Sequence, residues 1–370
     1  GDVWSGFRAH SSELQKKIEE ATPTTVEKTV ILQYYPDRKF LWRQWRGTVI
    51  RRTLPREVLF NTLLALIVSG LVYFPGPGLS LISKSNVVLR AVGEAWTFSI
   101  AMASFTLSFF LFHSYAVWQA VYMITRQVVG RLNDISLLCA THGARNSSTG
   151  LYTPEANSLL RTISRYVRLF DVLVYAAVTT RFATLKSPEG LKALVEAEVL
   201  TPEERNALLK SPVAQDAVIL WLARLFDDAI ADGRLGTSGT RGLNADPMRV
   251  QMVLMDKLLE LRKTYGGLFD QLKGRMPLAY VHLVQILIDI YICSTPFALA
   301  SSVGPFGVVL GTAVVTLFYS SIVTLAKLFL DPLNNEVALR GGDPGIEGVE
   351  VGSLQQEINL YSERWHKSAS

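Results

Sequence analysis

Cysteine, histidine and charge are all scarce in this chain of 370 residues, which has two cysteines, five histidines and 19% Asp, Glu, Lys and Arg. Cys139 and Cys293 fall in different predicted helices, one in the central section and one inside an apolar run, which excludes a disulfide framework. The histidines never recur at metal-ligand spacing. No phosphate loop, GxSxG elbow, HExxH pair, CxxC pair or dinucleotide fingerprint occurs, so neither enzyme activity nor a cofactor is expected. The initiator methionine is missing too: the chain opens Gly1-Asp2 without a cleavable apolar run, which suggests a trimmed chain or a domain of a longer polypeptide.

What is abundant is apolar. With 49% hydrophobic residues the composition is that of a membrane protein rather than an ordinary soluble domain. Four stretches are long enough to span a bilayer: Val58–Phe74, Trp96–Met123, Leu278–Leu299 and Val308–Leu330. Amphipathic helical pattern fills the chain between the second and third. The expected fold is therefore all-α, with four transmembrane helices and a helical cytoplasmic domain. The boundaries follow: 1–40, an N-terminal cytoplasmic segment; 41–132, an interfacial approach with spans one and two; 133–275, the cytoplasmic domain; 276–331, spans three and four; 332–370, a C-terminal strap.

Charge sets the orientation. Arg43, Arg46, Arg51, Arg52 and Arg56 precede the first span and Arg126, Arg131 and Arg145 follow the second, whereas Gly76–Ser80 and Ser301–Gly307 carry none, so both termini and the middle section are expected on the cytoplasmic side. The net charge of +5 is spread over these flanks and points to topology and anion attraction, not to nucleic acid.

In chain order, an amphipathic piece (Glu13–Glu20) and an extended run (Val30–Tyr35) lead to an interfacial segment with Trp42 and Trp45. Pro55 opens span one and Pro75-Gly76-Pro77-Gly78 closes it. The second helix continues without a breaker through Arg126 and Leu132. A helix over Pro154–Phe182 carries Arg161, Arg165 and Arg168 on one face, either salt-bridged and solvated or lining an anion-attracting vestibule. Ser187 and Thr201, each followed by proline and acid, are helix caps. Helices Val213–Ala231 and Met248–Leu272 flank a glycine-rich loop, Gly233–Pro247. Span three holds His282, Gln285 and Asp289; the first two are read as bonding locally, whereas Asp289 requires a partner. Lys327 is read as snorkelling, and the tail after Asp331 as a mobile strap, glycine-rich over Gly341–Gly352 and weakly amphipathic over Leu354–Tyr361.

Within the second span Ala101, Phe105, Phe109 and His113 recur every fourth residue, which makes a lane that slants by about 40° per step on a helix. Such a lane suits the wall of a pore or the packing of a membrane helix. His113 brings to it the side chain that titrates near neutrality.

Several stretches resemble the bestrophin family of anion channels. Trp45-Arg46-Gly47-Thr48-Val-Ile-Arg51 resembles its W-R-G-S-x-x-K approach to span one, and Ser104-Phe105-Thr-Leu-Ser-Phe109-Phe-Leu its S-F-V-L-G-F-Y-V. Arg161-Thr-Ile-Ser-Arg165-Tyr166, Thr201-Pro202-Glu203-Glu204 and Met276-Pro277-Leu278 resemble three further markers, in family order. The resemblance implies a homopentamer in a lipid membrane, with one central pore for anions such as chloride or bicarbonate. It implies a neck at Ala101, Phe105 and Phe109, Trp118 on a family tryptophan below, and a lower constriction on the helix Val213–Ala231 with Ala223, Phe226 and Ile230 as candidates. Ala101 departs from the usual bulky aliphatic, which implies a wider outer neck. Where animal members carry an acidic calcium clasp this chain reads Asp331-Pro332-Leu-Asn334-Asn335-Glu336, so only Asp331 and Glu336 remain of it and calcium gating is not expected. That departure resembles non-animal members of algal or plant type, in a plasma or thylakoid membrane. The alternative from another class is a non-conducting subunit that assembles with a larger membrane complex.

Overall fold

The structure, a computed structural model, describes residues 54–74, 87–180, 182–236, 246–334 and 351–368, together with Arg38, Arg43 and Val49. Contacts divide the chain into the units Gly1–Trp42 and Arg43–Ser370, and the architecture below belongs to the second. Glu13–Glu20, Val30–Tyr35, both interfacial tryptophans, Pro75–Gly78, most of Gly233–Pro247, residues 341–350 and Glu336 lie outside the described residues.

Among the described residues the named elements are all helical. A π-helical turn, Leu54–Val58, leads into α1 (Leu59–Tyr73); α2 is Val87–His142 and α3 Pro154–Val178. After a 3-10 turn, Ala183–Lys186, come α4 (Pro188–Glu196), α5 (Pro202–Lys210), α6 (Ala214–Ala231), α7 (Pro247–Lys273), α8 (Leu278–Ala300), α9 (Pro305–Leu330) and α10 (Val351–Ser368). Among the described residues four helices are long and apolar enough to cross a membrane: Arg56–Tyr73, α2, α8 and α9.

The spine is α2. Its 56 residues span about 84 Å at 1.5 Å per residue, more than twice a hydrocarbon core. No proline interrupts it, and Ala103, Leu107, Phe110, Ser114, Val117, Val121, Thr125, Val128, Leu132, Ile135 and Cys139 are buried at steps of three or four, one continuous stripe. The first half of that stripe meets Val284, Ile288, Tyr291 and Ile292 of α8 with Tyr319, Val323 and Ala326 of α9. The second half joins the core of a helical domain built with α3, α6 and α7. Ala65, Val68 and Val72 of α1 close the far end against Leu89, Ala300 and Val308.

Local chemistry fixes the domain's helix starts. Thr201 Oγ1 accepts from Glu204 N at 3.2 Å while Glu204 Oε2 accepts from Thr201 N at 2.9 Å, a reciprocal capping box with Pro202 in the first turn. Ser187 caps α4 through Gly190 N, and glycine is required there because a Cβ would meet Thr184 O at 2.2 Å.

Two expectations change. The third helix ends at Val178 rather than Phe182, because its last groups are captured: Thr180 N donates to Asn334 Oδ1 at 2.7 Å, and Asn334 Nδ2 donates to Val178 O at 3.2 Å. The described end of the expected mobile strap, Val351–Ser368, is a docked helix. Leu354 and Ile358 of α10 are buried one turn apart, Trp365 Nε1 donates to Asn133 Oδ1 at 2.7 Å, Arg126 pairs with Glu357, and Ser164 Oγ donates to Ser362 O at 2.6 Å.

Candidate functional site

Opposite the buried stripe of α2 lies a second one that the other described residues leave open. Phe105 is 74% exposed, Phe112 73% and Phe109 52%, and Ala101, Ser108, His113 and Ala116 are exposed with them. Aromatic rings left bare on a membrane helix face either lipid or further copies of the same helix.

Helical drift separates the four residues of the predicted lane. Ala101 and Phe105 sit centrally on the open face. Phe109 has turned toward α8, where its ring stands edge-on to Tyr280 with centroids 6.4 Å apart, and His113 stacks on Phe109 at 6.4 Å and 18°. Phe112 was not singled out from the sequence. Eleven residues after Ala101, it returns to within about 20° of the same line, so a search at seven and eleven residues rather than at every fourth would have found it. Ser104 fixes the rotation of α2, its Oγ lying 2.7 Å from the Tyr319 hydroxyl of α9. Beyond His113 the rings of Tyr115, Trp118 and Tyr122 stack in sequence at 5.8 and 5.5 Å, with Phe329 of α9 across the first two.

The residues expected at a lower constriction separate. Phe226 is fully buried in the core of the helical domain, so it lines no open path in this conformation; Ala223 and Ile230 are half-buried against the same core. Leu220, Arg224 and Asp228 stand on the exposed side of α6 instead.

Three polar residues of α8 and α9 are linked by hydrogen bonds. Lys327 of α9 donates to Gln285 Oε1 of α8, and Gln285 Nε2 donates to Asp289 Oδ1 at 2.7 Å. The lysine thus reaches a neighbouring helix instead of snorkelling, and its charge stands behind the carboxylate that required a partner. One turn on, Cys293 Sγ lies 3.9 Å from Asn61 Oδ1 of α1, whose amide donates to Glu57 O at 3.0 Å.

Of the three arginines on α3, Arg165 is held in an ion pair. Its Nη1 and Nη2 meet Glu204 Oε2 and Oε1 at 2.6 and 2.8 Å, and Tyr166 donates to Glu204 Oε1 at 2.7 Å. Burial alone would raise the Glu204 carboxyl, but bonds from Arg165, Thr201 and Tyr166 outweigh it and hold the group below the usual carboxylate range. Burial, then the bond to Glu204, pushes the Tyr166 hydroxyl up to about 12. Six residues along α3 from Arg165, Asp171 is fully buried, neither oxygen has a partner among the described residues, and burial pushes its carboxyl well above the ordinary range.

Asp331, the described half of the supposed calcium remnant, pairs with Arg275 Nη2 at 3.1 Å and accepts from Asn334 Nδ2 at 3.1 Å. Among the described residues no cluster of His, Cys, Asp and Glu has the makings of a metal site.

The family profile described as "Bestrophin, RFP-TM, chloride channel" matches residues 38–304. A substitution variant of a bacterial bestrophin homologue from Klebsiella pneumoniae superposes with a TM-score of 0.56 at 15% identity, over 84% of this chain and 98% of that one. A second structure of that bacterial homologue gives 0.54 at 15% identity, over 84% and 97%. A crystal structure described as a membrane protein gives 0.53 at 16% identity, over 86% and 98%. Among curated proteins none matches the chain.

Proposed function

Because the chain belongs to the bestrophin family, a family of membrane channels, we propose that it is a homopentameric anion channel for chloride or bicarbonate, with its neck formed by Ala101, Phe105 and Phe109 from five copies of α2. The observation that carries this reading is the open aromatic stripe on the membrane half of α2, opposite an unbroken buried one. Five such stripes facing one axis would make stacked apolar rings. Rings of that kind gate by dewetting, and the edges of aromatic rings present positive potential to an anion.

The helical domain, 133–275, is the cytoplasmic end of this channel, with α2 as the rod that ties it to the pore. Calcium is not the opening signal in this reading: Asp331 Oδ1 is engaged by Arg275 and Asn334, and no cluster of carboxylates of the kind calcium needs stands around it among the described residues.

Purified protein in a planar bilayer tests the reading. Single-channel currents whose reversal potential follows the anion gradient are expected, from a particle that native mass spectrometry sizes as a pentamer. A silent particle that co-purifies with stoichiometric partners, or a cation-selective one, would overturn it.

A further inference from the structure

We propose that Arg90 and Glu94 form a charge selector at the mouth of the conducting path remote from the helical domain, where Arg90 gathers small inorganic anions and Glu94 limits that gain. The proposal rests on the channel reading above.

Register is the first argument. Because α2 is unbroken from Val87 to His142, residues before the neck can be placed by rotation. Arg90 precedes Ala101 by eleven residues, which puts it within about 20° of the neck line and about 16 Å further out; Glu94, seven residues before, falls about 20° to the other side and about 10 Å out. Both side chains therefore stand on the open stripe of α2, two and three turns beyond the neck.

Charge is the second. Among the described residues, Arg90 and Glu94 are the only charged ones at this end of the four spans. Their side chains are 82% and 68% exposed, and they meet at only 3.6 Å. An exposed pair of that kind contributes little to stability, and arginine preceding glutamate is the weaker order on a helix. Helix stability does not account for a charged pair there.

Hydrogen-bonding capacity is the third. A cleft of about 960 Å³ opens beside the pair, with Trp96, Thr97, Ser301 and Ser302 on its walls. Each of these donors is already spent: Trp96 Nε1 on Thr295 Oγ1, Thr97 Oγ1 on Gly93 O, Ser301 Oγ on Ala298 O and Ser302 Oγ on Leu299 O. Their remaining lone pairs repel an anion. Among the described side chains, recognition of an anion at this mouth therefore falls to the guanidinium of Arg90, whose fork of donors faces solvent.

A fixed charge at a channel mouth acts by raising the local concentration of counter-ions, and salt screens it, with a Debye length of about 30 Å at 0.01 M and about 3 Å at 1 M. The test is single-channel recording of the parent, R90Q, E94Q and R90Q/E94Q at about 20 mM and about 1 M chloride. At low salt the current carried by anions arriving from this mouth should fall about two-fold in R90Q and rise about two-fold in E94Q, with the double variant close to the parent. In high salt all four should coincide. Identical currents at low salt, or changes equal for anions arriving from either side, overturn the selector while leaving the channel in place. A parent without anion current overturns the reading beneath it.

Discussion

Gln285 holds Asp289 one helical turn away within α8, at 2.7 Å, while its carbonyl oxygen takes a bond from Lys327 of α9. A single amide thus stands between a carboxylate and an ammonium in the apolar part of the fold. Each charge is offset by the other through the polarised amide.

Lys327→Met should therefore destabilise the spans by about 1 kcal/mol, the order found for interhelical polar contacts in membranes. Adding Asp289→Asn should recover most of that loss, since the carboxylate left unbalanced is then neutral. Thermal unfolding in mild detergent reads both, and a single variant that melts with the parent would show that the bridge carries no energy.

Asp171 offers a pH test in the helical domain. Burial raises its folded-state carboxyl well above the usual range, so the folded state holds this proton more tightly than the unfolded state. The site's stability is complete below the unfolded value of about 4 and is lost as pH rises from there. Asp171→Asn, which cannot ionise, should match the parent near pH 4 and melt higher at neutral pH. Equal melting temperatures at neutral pH would mean that the carboxyl is satisfied in solution.

Glu204 should behave in the opposite sense. Its carboxyl is held low by Arg165, Thr201 and Tyr166 against burial, so its contribution is present above about pH 4.3 and lost as pH falls through the depressed value. Glu204→Gln leaves the half-buried Arg165 guanidinium without its counter-charge and should cost about 3 kcal/mol at neutral pH, shrinking in acid. A cost that stays constant with pH would assign the effect to the cap of α5 alone.

The caps of α4 and α5 were legible because their chemistry is local: Ser187 with Gly190, Thr201 with Glu204. The uninterrupted run of α2 was legible for a similar reason, since no breaker occurs in it. Contacts distant in sequence were not. Lys327 and Gln285 are 42 residues apart, and Trp365 and Asn133 are 232 apart, so the bridge in the spans leaves no periodic trace, and the weak amphipathic pattern of α10 does not name the helices it docks on. Phe226 misled for a different reason. Its helix is apolar on more than one side, and only packing against α3 and α7 decides which side turns inward.

The neck gives the most direct functional prediction. Phe105 and Phe109 are exposed on α2, and in five copies their rings would exclude water from a short apolar passage. Phe105→Ala with Phe109→Ala should rehydrate it and give a leakier channel. Phe112 lies nearer the centre of the open stripe than Phe109 does, so Phe112→Ala separates two geometries. If the every-fourth lane faces the axis, this variant gates like the parent; if the seven-and-eleven line does, it leaks as well. His113, stacked on Phe109, adds an imidazole at the lower edge of the passage. A double phenylalanine variant that opens and closes as the parent does removes Phe105 and Phe109 from the gate.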